Sequence, residues 1–166
     1  LAYVELAGTG RLRALVLVDN SIGEEPPPVT DPTFLKRLRE NRIATTERFV
    51  RGMYRTPQRE PYLRRVVAHS LRVPLDASIA LLSYPYPRER WKEIVYRTDR
   101  PILYAVNTRF RGQAENLKKN RPEVWTEVFE NAGHALFVDE SERFNRLLED
   151  FLLKEVRLLA GDGKKE

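Results

Sequence analysis

The spacing of hydrophobic positions changes several times along this chain, and each change marks an expected element. Residues 12–18 (Leu-Arg-Ala-Leu-Val-Leu-Val) form a nearly unbroken apolar run closed by Asp19, Asn20 and Ser21. A short run of this kind predicts a strand buried on both faces, as in a parallel sheet. Strand character returns at residues 101–106 (Pro-Ile-Leu-Tyr-Ala-Val), and a further strand is expected over 125–129. Elsewhere the apolar positions fall at helical spacing. Phe34, Leu35, Leu38, Ile43, Phe49, Val50 and Met53 predict a helical stretch, with Asp31 as its cap and Pro32 as its first residue. Further helices are expected over residues 61–71, 77–82 and 88–96, separated by Pro57, Pro61, Pro74, Pro85 and Pro87, and then over 112–120 and 141–159. In the last of these Phe144, Leu147, Leu148 and Phe151 share one face. Residues 1–7 read as the tail of a helix stopped at Gly8-Thr9-Gly10, and residues 161–166 as a polar tail.

This order predicts an α/β layer architecture in which three parallel neighbouring strands carry an all-helical excursion. The expected division is a core segment 1–25, a helical insert 26–98 lying over the C-terminal edge of the sheet, a second core segment 99–160 and the tail 161–166.

Composition narrows the function classes. A chain of 166 residues with 42% hydrophobic and 32% charged residues fits one soluble-type domain. Its longest apolar runs, such as residues 14–18, are far too short to span a bilayer. The start, Leu-Ala-Tyr-Val-Glu-Leu-Ala, has no Met and no basic region, so it is no signal peptide; it is expected to continue a helix that begins upstream. The absence of cysteine excludes disulfides, thiolate metal sites and a Cys nucleophile within these residues, and suits cytosol and periplasm alike. With only His69 and His134, a multi-histidine metal site is not expected, nor is a cofactor. The net charge of +5 raises nucleic acid as a partner, but the basic residues alternate with acids, as in Lys36, Arg37, Arg39, Glu40 and Glu47, Arg48, Arg51. That pattern describes a solvated helix surface and argues against a nucleic-acid site.

The most specific stretch is Glu127-Val-Phe-Glu-Asn-Ala-Gly-His134-Ala-Leu-Phe-Val-Asp139-Glu-Ser-Glu-Arg-Phe144-Asn. A strand ends, a glycine permits a tight turn, and a histidine is presented just before a helix. An imidazole at such a point can take up a proton near neutral pH and return it. Residue by residue the stretch resembles the last strand, histidine loop and closing helix of the α/β-hydrolases. Residues 101–106 resemble that family's penultimate strand, residues 12–21 the strand ahead of its cap, and residues 26–98 a helical cap domain. The resemblance implies a parallel sheet of the α/β-hydrolase type with an inserted cap and without the N-terminal half of the fold. It makes His134 the catalytic base of a nucleophile–acid–histidine triad.

The chain departs from the family where the acid usually follows the penultimate strand: Asn107-Thr-Arg-Phe110-Arg-Gly-Gln contains no Asp or Glu. Some relatives, including fluoroacetate and certain haloalkane dehalogenases, carry the acid after the earlier strand. Asp19 stands at that site, with Glu24, Glu25 or an acid outside these residues as alternatives. A Gly-x-Ser-x-Gly elbow is also missing, so the nucleophile and oxyanion loop are expected upstream of Leu1. The implied reaction is hydrolysis of a small-molecule carboxylic ester or related acyl substrate. The alternatives are a dehalogenase or epoxide hydrolase with an Asp nucleophile, or a non-catalytic binding protein on this fold. The missing segment as a separate piece, or a second copy of the chain, is the expected protein partner. Tyr84, Tyr86 and Trp91 form a proline-stiffened aromatic corner expected to pack the insert's own core, and His69 on its amphipathic helix is expected to be structural.

Overall fold

The computed structural model describes residues 1–84 and 87–156. Its centre is a sheet of three strands, β1 (Leu15–Val18), β2 (Ile102–Asn107) and β3 (Trp125–Phe129), side by side in that order and all parallel. Leu15 lies opposite Ile102 and Leu103 opposite Trp125; β2 and β3 end level at Asn107 and Phe129, while β1 ends at Val18 opposite Ala105. Helix α1 (Ala2–Ala7) precedes the sheet. Helices α2 (Phe34–Glu40), α3 (Arg42–Gly52), α4 (Glu60–Ser70), α5 (Leu75–Leu82) and α6 (Arg88–Arg97) fill the connection from β1 to β2. Helix α7 (Arg111–Asn120) joins β2 to β3, and α8 (Leu136–Asp139) and α9 (Ser141–Phe151) follow β3.

The apolar runs become the central layer because helices cover both faces. On one face Leu17, Ile102, Tyr104 and Val106 pack with Val95 of α6 and Ala114 and Leu117 of α7. On the other, Ala105 and Phe129 pack with Leu136 and Phe144, joined at the edge by Leu147 and Leu148 of α9. Residues 102–106 of β2 are all buried, as a central parallel strand requires. The helical spacing of Phe144, Leu147, Leu148 and Phe151 turns one face of α9 to the sheet, where the Phe151 ring meets Trp125 edge-on at 5.7 Å.

Several boundaries differ from the expected ones. Strand β1 begins at Leu15 rather than at residue 12. The Leu12 amide turns back to the Thr9 carbonyl, and the ladder opens only with Leu15 N–H on Pro101 O, 2.9 Å. The helical stretch expected from Asp31 starts at Phe34, because the Asp31 carboxylate accepts the Thr33 amide (2.9 Å) and hydroxyl and folds those residues into a turn. It is also two helices rather than one. Asn41 leaves helical geometry and its side chain caps the Ala44 amide at 3.1 Å, which starts α3 afresh. Helix α9 ends at Phe151 and continues as a π-helical turn, Leu152–Val156. The expected helix end at residues 157–159, the tail 161–166, and Pro85 and Tyr86 of the aromatic corner lie outside the described residues. Tyr84 is exposed.

Among the described residues the insert is fastened to the core segments at several places, two of them central to the site. Near its ends, the buried Glu24 carboxylate accepts hydrogen bonds from Lys92 Nζ (2.8 Å), Tyr96 OH (2.6 Å) and Asn116 Nδ2 (3.1 Å), joining the exit from β1 to α6 and α7. At its middle, the connection from α3 to α4 docks on the loop after β3. No helix among the described residues is long and apolar enough to cross a membrane.

Candidate active site

Asp19 and His134 come from loops that leave β1 and β3 at the same edge of the sheet, the C-terminal edge where open α/β sheets bind ligands. Asp19 is the first residue past β1. Its amide makes the last ladder bond, to Ala105 O at 2.9 Å, and its backbone then turns into the left-handed region at φ 44°. A non-glycine residue there is strained, Asp less than most, and a dense set of contacts is needed to hold it. Those contacts are present. Tyr104, buried on β2, donates its hydroxyl to Asn20 O at 2.8 Å. On α7, Gln113 accepts the Ile22 amide at 3.1 Å and donates to Pro26 O at 2.9 Å.

The chain reversal aims the Asp19 carboxylate inward, where it is buried. Oδ1 accepts the Asn107 amide at 2.8 Å; Oδ2 accepts Asn107 Nδ2 at 3.1 Å and faces His134 Nδ1 at 2.8 Å. A carboxylate only accepts hydrogen bonds, so Nδ1 carries the proton in this contact and Nε2 of the neutral ring is left with its lone pair. The His134 side chain is 50% exposed. Nε2 has no hydrogen-bond partner among the described residues. The bond from Asp19 raises the imidazole pKa above its ordinary value; partial burial and the nearby Arg109 guanidinium act in the opposite direction. A ring so placed can accept a proton at Nε2 while Asp19 holds its orientation and stabilises the resulting charge.

Gly133 brings the histidine loop against the insert. A Cβ there would lie 2.5 Å from the Met53 carbonyl oxygen and 3.1 Å from the Arg55 amide, a space only glycine fits. The next residue, Ala135, donates its amide to that same carbonyl at 2.9 Å. Asp139 accepts the Gly133 amide at 2.8 Å, together with the amides of Arg55 (2.9 Å) and Thr56 (3.0 Å).

Of the residues singled out in the sequence, the fold brings Asp19 to His134 and takes Glu24 and Glu25 elsewhere. Glu24 serves the lock on α6 and α7, and Glu25 pairs with Arg88 at 3.3 Å. Phe110 is buried in the core beneath α7 and His69 is exposed on α4. Two residues with a part in this geometry carried no expected role, Asn107 and Asp139. Asn107 closes β2, just ahead of the stretch around Phe110 where the resemblance expected an acid, and a short amide in that turn was the available signal. The insert has a half-open cavity of about 210 Å³, lined by Phe34, Leu38, Arg42, Phe49 and Leu82 among others; neither His134 nor Asp19 borders it.

Neither a protein-family model nor a curated protein matches the sequence. Solved structures do match the fold. A protein assigned as an aryl esterase, from Burkholderia cenocepacia, superposes with a TM-score of 0.78 at 19% identity, over 93% of this chain and 60% of its own. An esterase from Exiguobacterium antarcticum gives 0.72 at 18% identity, over 92% and 62%. The 2-hydroxy-6-oxo-6-phenylhexa-2,4-dienoate hydrolase of Rhodococcus sp. strain RHA1 gives 0.61 at 15% identity, over 84% and 54%. The fold is that of the α/β-hydrolases. At these identities the likeness concerns architecture alone, and the chain spans 54% to 62% of the length of these structures. Within the α/β-hydrolase architecture, β1, β2 and β3 are a run of neighbouring parallel strands with a helical insert after the first.

Proposed function

We propose that these residues supply the base and acid of a hydrolase acting on carboxylic esters or related acyl bonds of small molecules, with His134 as the base and Asp19 as its acid. The observation that carries this reading is the 2.8 Å contact between His134 Nδ1 and the buried Asp19 carboxylate, which leaves Nε2 free to take a proton. The nucleophile that Nε2 would deprotonate is proposed to lie outside residues 1–166, which hold no Gly-x-Ser-x-Gly elbow. The helices over residues 26–98 are proposed as the cap, with α6 anchoring it to the sheet. The esterase and hydrolase neighbours support this chemistry as the leading choice.

One observation favours a second reading. An acid after β1, rather than after β2, is the arrangement on which the Asp-nucleophile alternative rests, so haloacids and epoxides belong in the substrate test. In a protein carrying the nucleophile segment, His134→Ala is expected to reduce turnover of a short activated ester by several orders of magnitude with the fold intact. Residues 1–166 by themselves are expected to give no turnover. Equal rates for the wild type and His134→Ala on ester, haloacid and epoxide alike would leave a non-catalytic binding protein as the reading.

A further inference from the structure

The loop that presents His134 is tied to the helical insert on both sides of the histidine. Ahead of it, the Gly133 amide donates to Asp139 Oδ2 at 2.8 Å, and the same oxygen accepts the Arg55 amide at 2.9 Å. The other oxygen, Oδ1, accepts the Thr56 amide at 3.0 Å and the Thr56 hydroxyl. Behind it, the Ala135 amide donates to Met53 O at 2.9 Å. Met53, Arg55 and Thr56 all belong to the connection from α3 to α4. Asp139 closes α8, the short helix that opens immediately after the histidine, and its own amide returns to Ala135 O at 3.1 Å. Nothing in a loop histidine's proton chemistry requires these contacts. They form a clamp with the imidazole at its centre.

We propose that Asp139 is a positioning residue for His134: its carboxylate bridges the Gly133 amide and the Arg55–Thr56 amides, so that the seating of the helical insert and the placement of the imidazole against Asp19 are one coupled equilibrium. The physical ground is the acceptor count. One carboxylate holds three backbone amides and a hydroxyl, and hydrogen bonds to an ionised acceptor are stronger than those between neutral groups. Burial pushes the Asp139 carboxyl up, yet the hydrogen bonds from Arg55, Thr56 and Gly133 outweigh it and hold the group below the usual range, so the bridge is charged at neutral pH. When the insert lifts, Asp139 loses its partners on that side and Ala135 loses Met53, and the backbone flanking His134 is released together. The proposal rests on the hydrolase reading only for its consequence in turnover.

The test uses the imidazoles as reporters. The chain has two histidines, and His69, exposed on α4, is an internal control. The charged groups facing His134 are Asp19 from the loop after β1 and Arg109 from the turn after β2, both unchanged in the variants. Asp139→Asn puts an amide nitrogen where one oxygen accepted hydrogen bonds; Thr56→Val keeps the charge and removes the hydroxyl, with its bond to Asp139 and the one it accepts from Gln58 Nε2 at 2.9 Å. Proton NMR titration is expected to show the His134 midpoint lowered in Asp139→Asn, lowered less in Thr56→Val, and His69 unmoved. Hydrogen exchange at the Ala135 amide is expected to quicken by about fivefold or more in Asp139→Asn, the factor corresponding to one lost hydrogen bond, with β2 amides unchanged. An unmoved His134 midpoint overturns the proposal. So does a moved midpoint with unchanged Ala135 exchange, which would be an effect of charge alone. If Asp139→Asn fails to fold, Thr56→Val decides by the same two readouts. None of these measurements needs turnover, so a failure of the hydrolase reading leaves them standing, and their failure leaves that reading intact.

Discussion

Asp19 bears two costs at once, a left-handed backbone and a buried carboxylate, and both are met by the same few neighbours. Asn107 contributes an amide N–H and a side-chain N–H to it, leaving one lone-pair direction of Oδ2 for His134. The consequence for the proposed catalysis has a definite sign. A general base works when neutral, so the rate rises as pH climbs through the imidazole pKa. The Asp19 bond raises that pKa, which puts the acid limb of kcat/KM above pH 6.5 in the wild type. Asp19→Asn removes the raising partner, so the limb is expected to move to lower pH while turnover falls on the order of a hundredfold or more through loss of tautomer control. A pH–rate profile of the two proteins, each with its nucleophile segment, checks both. A limb that stays in place would mean that Asp19 does not act on the ring.

The histidine loop is legible as an element because Ala-Gly-His between a strand and a helix has few other uses. What it packs against is not. Gly133 is required by the Met53 carbonyl, which lies 80 residues earlier in the chain (133 − 53) and carries no mark in the sequence. Gly133→Ala is expected to force the α3–α4 connection off the loop and destabilise the fold by about 1–3 kcal/mol, measured as a lowered urea midpoint at unchanged slope. The same limit explains the helix boundaries. Apolar spacing across residues 34–53 was visible, but the break at Asn41 depends on whether its side chain caps Ala44 or points to solvent, a local competition that spacing does not express.

The molecule as a whole carries its titrating groups in two opposed sets. Burial raises the Glu24 carboxyl, but the bonds from Lys92, Tyr96 and Glu25 outweigh it and hold the group below its ordinary value, and Asp139 behaves likewise. Carboxyls lowered on folding contribute stability above their unfolded pKa and lose it as pH falls through the folded one. His134 is raised on folding, so its contribution is complete below pH 6.5 and is lost as pH rises through the folded value. Together the three groups contribute most between pH 4.5 and 6.5. Urea midpoints across pH are expected to fall on both sides of that window, with Glu24→Gln flattening the acid side and Asp19→Asn the alkaline side. An acid side as steep in Glu24→Gln as in the wild type would show that Glu24 does not contribute there.

At this scale the division between sequence and fold is physical. Short apolar runs and helical spacing report burial, which is a property of each segment alone, and they are enough to determine three strands, their parallel pairing through long connections and an all-helical insert, although only β2 is buried along its length. The histidine loop and the acid after β1 are local patterns too, and so could be picked out from the chain. Pairing is a different matter. Asp19 lay open against Glu24 and Glu25 until the chain reversal at φ 44° turned one carboxylate toward His134 and packing on α6 and α7 took the others away. Asn107 and Asp139 gained their parts only when residues 88 and 84 positions apart in the chain came within hydrogen-bond distance. Hydrogen bonds act over about 3 Å and depend on direction, so only the tertiary structure decides which of several equivalent polar residues makes them.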